Sequence, residues 1–131
     1  MPQLIPTTDE IGIREQRDIL FLAFRKIPAP EAVDDAPWER IPERQEIIRW
    51  LAAQGIDWEP CFHCAPGTLS TPYRGAMYLD VAPDAACPRY QAVLAFLEDA
   101  SGQCRFADVD VWLVPLEKSR VWYEARQRES D

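Results

Sequence analysis

Strand-like and helix-like segments follow one another in a fixed order along this sequence, and that order constrains the fold more than any other feature. The first strand-like segment, Asp18–Ile27, contains six consecutive apolar residues, Ile19–Phe24. A run of this kind is typical of a strand that is covered on both faces. The competing interpretation is a helix whose inward residues would be Leu20, Ala23, Phe24 and Ile27. The β-rich composition and the following Pro28-Ala29-Pro30 favour the strand.

Two further segments have the spacing of amphipathic helices, and each begins at a proline. Pro42 opens the first helix, which Gly55 ends as a left-handed cap residue, with Ile56 placed against Leu51 as in a Schellman motif. Pro88 opens the second helix, which ends before Ser101-Gly102. The inward residues of the two helices are Ile47, Ile48 and Leu51 in the first, and Tyr90, Val93, Leu94 and Leu97 in the second.

Alternating apolar and polar residues predict three more strands, over Asp57–Ala65, Ala76–Val81 and Asp108–Val114. Residues 66–75 form the loop between the first two of these strands. Residues 1–17 are predicted to be an arm with one helical turn after Thr7. The tail, residues 116–131, favours a short helix over a further strand, with Val121, Trp122 and Ala125 inward. The sequence has no internal repeat, and residues 1–131 are predicted to form a single domain.

The order strand, helix, strand, strand, helix, strand predicts an α+β fold. It folds most economically as a ferredoxin-like βαββαβ sandwich: a four-stranded antiparallel sheet with two helices on one face, and here a C-terminal tail helix. The residues predicted to meet the helices are Trp58, Phe62, Met77, Leu79, Val109, Val111 and Leu113. The residues predicted on the uncovered face are Glu59, Cys61, His63, Tyr78, Asp80, Asp110 and Trp112, with one side of Ile19–Phe24.

An uncovered face of this kind is too apolar to be left in water, because contiguous apolar patches usually mark contact sites. Three covers are considered: the tail folding back through Trp122 and Tyr123, a second copy forming a homodimer, or a partner or ligand. The first two are favoured. The sequence therefore predicts a small binding or regulatory protein that acts by protein–protein contact or self-association, with a small molecule as the other ligand class. The predicted binding residues are Tyr78, Trp112, Tyr73 and Arg74.

The alternative function is a small acid–base enzyme, which we rank below binding. It would use His63 with Glu59, Asp80 or Asp110 as the neighbouring carboxylate, because an imidazole and a carboxylate are the minimum for such chemistry near neutral pH. The sequence lacks a nucleophile elbow, a phosphate-binding glycine loop, a zinc-protease helix and a dinucleotide fingerprint. No cofactor is predicted.

The four cysteines are interpreted as small packing residues. Cys61 and Cys64 form one close pair with His63 between them, but Cys87 and Cys104 stand apart, whereas a zinc site needs two close pairs. A redox site would need a helix after Cys64, where the sequence instead predicts a turn. Cys87 lies just before a helix, and the alternative interpretation is that the helix dipole lowers the pKa of its thiol. No metal is predicted.

Charge and hydropathy exclude other classes. The chain has 22 acidic and 14 basic residues, a net charge of -8, and no basic block, which argues against nucleic-acid binding. No apolar run approaches the length of a membrane span, and the N-terminus lacks the pattern of a secretion signal, so a cytoplasmic location is expected. Arginine greatly outnumbers lysine, and alanine and proline are plentiful, which indicates a GC-rich, bacterial genome.

Overall fold

The structure, a computed structural model, describes residues 5–32, 35–62 and 73–130, with side chains described as far as residue 128. Its elements are α1 (Thr8–Glu15), β1 (Ile19–Phe24), a short 3-10 turn (Pro37–Arg40), α2 (Pro42–Gln54), β2 (Trp58–Pro60), β3 (Met77–Leu79), α3 (Pro88–Leu97), β4 (Val109–Val114) and α4 (Leu116–Ser130). Within the described residues this is an α+β fold with four α-helices and one four-stranded antiparallel sheet. The α+β class and the four-stranded antiparallel sheet were predicted, whereas α1 as a two-turn helix was not.

The strands lie in the order β2-β3-β1-β4, and every neighbouring pair is antiparallel. Helix α2 connects β1 to β2, and α3 connects β3 to β4. The apolar run Ile19–Phe24 is a strand rather than a helix, and five of its six residues are buried. Strand β2 is shorter than its predicted segment, of which residues 63–65 lie outside the described residues, as do residues 66–72 of the predicted loop.

Helices α2 and α3 pack on one face of the sheet and form the larger core. The strand residues predicted to face helices contribute to it through Met77, Leu79 and Val109, which are all buried. Gly55 ends α2 with a φ of 69°, and the N–H of Ile56 donates to the carbonyl of Leu51 at 3.0 Å, which confirms the predicted cap.

The other face of the sheet, predicted to be left open by the two main helices, is covered by α1 and α4, and the tail helix α4 was one of the favoured covers. Its core contains Ile11 of α1 with Phe21, Cys61 and Tyr78 of the sheet region, each at most 1% exposed, and Trp122 of α4 packs against them. Within the segment predicted to be an arm, Thr8–Glu15 form a helix of two turns, where one turn after Thr7 was predicted. Its inward positions include Thr8, Asp9 and Gly12, which apolar periodicity does not detect.

A buried polar network joins α1 to α4. Asp9 is fully buried, and the guanidinium of Arg126 donates to both of its carboxylate oxygens at 2.7–2.9 Å. The Thr7 hydroxyl also donates to Asp9 and accepts from Arg126. The two helices approach closely at Gly12, where an added Cβ would lie 2.6 Å from the Cβ of Ser119.

Helix α4 begins at Leu116, whose N–H donates to the carboxylate of Asp18 at 2.8 Å. This side chain supplies a cap from a distant part of the chain. Two predicted inward residues were wrong: Val121 is 58% exposed and Ala125 is exposed, because the helix turns Ser119, Trp122 and Arg126 inward instead. None of the described helices has the length and apolar character needed to cross a membrane.

Candidate functional site

Two of the carboxylates predicted for acid–base chemistry hold α1 against the sheet. Glu59 lies 2.9 Å from Nη1 of Arg14, and Asp80 lies 2.8 Å from Nη2 of Arg17. Each carboxylate is therefore engaged by an arginine from α1 or the residues just after it. His63 lies outside the described residues, so its pairing with these carboxylates stays a prediction.

Tyr78 is not an exposed binding residue, because its side chain is covered on the α1/α4 face. The residue is 1% exposed, and its hydroxyl accepts from Nη2 of Arg17 at 2.8 Å and donates to Asp80 at 3.4 Å. Burial raises the pKa of Tyr78 above its usual value, and the nearby Arg17 partly opposes this. Tyr78 thus serves as a neutral anchor for the residues that follow α1.

Tyr73 and Arg74 lie just before β3, away from Trp112. The Tyr73 ring contacts Trp38 and Phe62 edge-on, with centroids 4.9 and 5.6 Å away, and its hydroxyl donates to the carbonyl of Ala76 at 2.7 Å. Burial raises the pKa of Tyr73 to about 12. Arg74 is exposed. Since β1 and β3 separate this region from β4, the four predicted binding residues do not form one site.

Trp112 lies on β4, an edge strand of the sheet, where large apolar side chains are exposed to solvent. Its indole is 43% exposed and stacks on Phe21, with centroids 6.3 Å apart and planes 12° from parallel. Leu113, predicted to meet the helices, is 48% exposed on the opposite face. One short strand therefore presents a large apolar side chain on each of its faces.

The backbone of β4 is also open on its outer side. The register pairs Phe21 with Trp112 and Ala23 with Asp110, and the N–H of Arg25 donates to the carbonyl of Asp108 at 2.9 Å. Since hydrogen-bonding direction alternates along an antiparallel strand, even-numbered residues of β4 bond to β1. The N–H and C=O groups of Val111 and Leu113 point outward, and no described strand lies beyond them.

A groove of about 600 Å³ runs beside this edge, between β4 and α3. Val111 and Leu113 form its strand side, and Tyr90 and Leu94 form its helix side. Arg25, which lies 3.3 Å from Asp110, is among the charged residues that line it. The groove forms because α3 does not cover β4, and its apolar walls can accept side chains from a neighbouring polypeptide.

Sequence reasoning identified Trp112 but missed Leu113. The alternation in β4 correctly indicates two faces, but it does not indicate whether a helix reaches the last strand of a sheet. The available signal was a six-residue strand with apolar side chains on both faces and one acidic residue, followed by Pro115.

The described residues contain no group of three or more His, Cys, Asp or Glu side chains able to hold a metal ion. Cys61 is free and buried, and burial raises the pKa of its thiol, which opposes a reactive role. His63 and Cys64 lie outside the described residues. Comparison with protein-family models, with curated proteins and with solved structures finds no match for this chain. The fold and site define an α+β protein with an accessible apolar edge strand.

Proposed function

We propose that this protein acts by binding another polypeptide, which adds a strand to its sheet at β4. The observation that carries this function is the exposure of Trp112 and Leu113, at 43% and 48%, on opposite faces of one edge strand. An added strand would satisfy the outward backbone groups and cover both side chains together. Strand addition of this kind is a common mode of peptide recognition.

The composition of β4 supports this proposal, because exposed edge strands usually carry devices that prevent pairing. Such devices include lysines, prolines, bulges and inward-pointing charges. β4 has the sequence Val-Asp-Val-Trp-Leu-Val, and the side chain of its one charged residue, Asp110, is engaged by Arg25. A strand without these devices is a favourable template for a partner.

The groove beside β4 also supports the proposal, because it can accept side chains of an added strand. Alternate residues of an added strand would point toward α3, over the apolar walls formed by Leu94 and Leu113. The backbone would then provide affinity, and the groove would select apolar side chains at alternate positions.

Site-specific photo-crosslinking, carried out inside cells that express the protein, tests this function. A benzophenone amino acid at Leu113 should give light-dependent protein adducts, whereas the same group at Ala53, exposed on α2, should not. Val111→Pro in the same chain should remove the adducts, because it deletes an outward N–H while leaving the bonds to β1 intact. Equal adducts from both positions, or adducts unaffected by Val111→Pro, would refute the proposal.

Two finer features of the molecule are also proposals. The strand order β2-β3-β1-β4 with interleaved α2 and α3 supports the ferredoxin-like arrangement, extended by α1 and α4. The free thiols of Cys87 and Cys104 support residence in a thiol-reducing compartment such as the cytoplasm.

A further inference from the structure

We infer that the strand added at β4 is the β4 of a second copy of this chain, antiparallel, with Trp112 opposite Trp112 of that copy. This inference rests on the function proposed above and names the partner. It follows from three properties of β4: its outward backbone groups, its apolar faces and the position of its one charge.

The backbone groups of β4 are self-complementary. Val111 and Leu113 each offer an outward N–H and C=O, two residues apart. When two such strands run antiparallel, Val111 of each copy lies opposite Leu113 of the other, and the two pairs form four N–H···O bonds. Pro115 has no N–H and follows directly after β4, so sliding the strands toward their carboxyl ends loses bonds.

The charge of Asp110 selects this register among those that use the same backbone groups. Sliding the strands by two residues each toward their amino ends sets Asp110 opposite Asp110 of the second copy, and like charges directly opposite are destabilising. In the intermediate register, reached by sliding each strand by one residue, Asp110 lies opposite Trp112 of the second copy. In the inferred register Asp110 lies opposite Val114 and keeps its own Arg25 at 3.3 Å.

Both faces of the joined sheet gain apolar contacts in this arrangement. The two-fold axis is perpendicular to the sheet, so equivalent faces of the two copies lie on the same side. Val111 and Leu113 of both copies form one apolar row between the two α3 helices, beside Leu94 of each. On the opposite face the two Trp112 rings meet across the axis. The contact is isologous, as in most dimers.

Net charge gives this dimer a distinctive salt dependence. Each copy carries a charge of -8, so two copies repel over a distance that salt shortens, from about 30 Å at about 0.01 M to about 10 Å at about 0.1 M. Added salt should therefore strengthen the dimer. A basic partner protein would show the opposite trend.

Sedimentation of the purified full chain over a concentration series, at low and moderate salt, tests the inference. We expect a reversible dimer that is tighter at the higher salt. A chain that stays monomeric at every concentration overturns the inference. The crosslinking test separates this failure from that of the proposed function, because adducts with a different protein would support strand addition while excluding a second copy.

Charge substitutions at the axis test the register. Trp112→Lys and Trp112→Asp should each weaken the dimer by at least about tenfold, because like charges would face each other. An equimolar mixture of the two variants should regain a dimer. Ala53→Lys places the same added charge on α2 instead of β4 and should leave the dimer unchanged. If the wild-type chain forms a dimer but the mixture of the two variants does not, the inferred register is wrong.

Amide hydrogen exchange provides a test without substitutions. Dimerisation should protect the outward amides of Val111 and Leu113 at high protein concentration and release them on dilution. The amides of Asp99 and Ser101, which lie in an exposed turn away from β4 and bond within that turn, should not respond. Protection of Val111 and Leu113 that is independent of concentration contradicts the inferred dimer.

Discussion

Substituting Gly12 by alanine tests the close contact between α1 and α4. Elsewhere in a helix, Gly→Ala stabilises by about 1 kcal/mol, because alanine has the higher helix propensity. Here the new Cβ would lie 2.6 Å from the Cβ of Ser119, and closer still to its hydroxyl oxygen. Carbon atoms pack at about 3.5–4.0 Å, so the helices must separate by about 1 Å.

This separation determines the sign of the effect. Overpacking a well-packed site costs about 1–3 kcal/mol. With about 1 kcal/mol regained from helix propensity, we expect the free energy of unfolding to fall by about 1 kcal/mol. Urea unfolding followed by circular dichroism gives this value directly. An increase in stability of Gly12→Ala would refute the contact.

Ser119→Gly provides the matched partner for a double-mutant cycle. Alone, it should cost about 0.5 kcal/mol of helix propensity. Combined with Gly12→Ala it removes the obstructing side chain, so the double variant should be at least as stable as the wild type. The expected coupling is about 2 kcal/mol, and simple additivity of the two changes would show that the helices do not meet at this point.

Three further predictions concern stability. Asp9→Asn should cost about 3 kcal/mol in urea unfolding, since it breaks a buried pair with Arg126, and a loss below about 1 kcal/mol would contradict that role. Asp18→Ala should cost about 1 kcal/mol through loss of the cap on Leu116, and the far-ultraviolet spectrum should lose helical signal on warming before the sheet melts; a neutral change would argue against the cap. Because burial raises the pKa of Tyr73 to about 12, its contribution to stability is fully present below about pH 10, the unfolded value, and is lost as the pH rises through about 12. Tyr73→Phe should therefore flatten the decline in stability across that window, and parallel declines in both proteins would disprove the assignment.

The elements of the sheet and its larger core were accessible from the sequence. Pro42 and Pro88 mark the first residues of helices, and Gly55 marks the end of one. These signals depend on the backbone of the residue itself, so distant contacts do not change them. The alternation in β3 and β4 assigned their two faces because side chains alternate along any strand. These features depend on neighbours in sequence.

The tail helix α4 was one of the favoured covers of the second face, but α1 was not predicted to cover it, although one signal for a covered face was present. Six consecutive apolar residues in β1 indicate burial on both faces, which is inconsistent with an uncovered sheet. The covering helix α1 went undetected because Asp9 and Gly12 occupy its inward face. Their burial depends on Arg126 and Ser119, which lie more than a hundred residues away, and no local pattern encodes such a pairing.

The site was only partly predictable for the same reason. Trp112 could be placed on its face from alternation, but the exposure of Leu113 depends on α3 stopping short of the last strand. That distance is a property of helix packing across the whole sheet.

The link between α1 and α4 also bears on synthesis. Asp9 leaves the ribosome before Arg126, which lies 117 residues later, so the pair cannot form until Arg126 has emerged. Until then the nascent chain carries Phe21 and Tyr78 without the cover of α4, and we expect this apolar surface to be open to chaperones. Chains that terminate prematurely, before α4, would keep that surface and should be removed by cellular quality control.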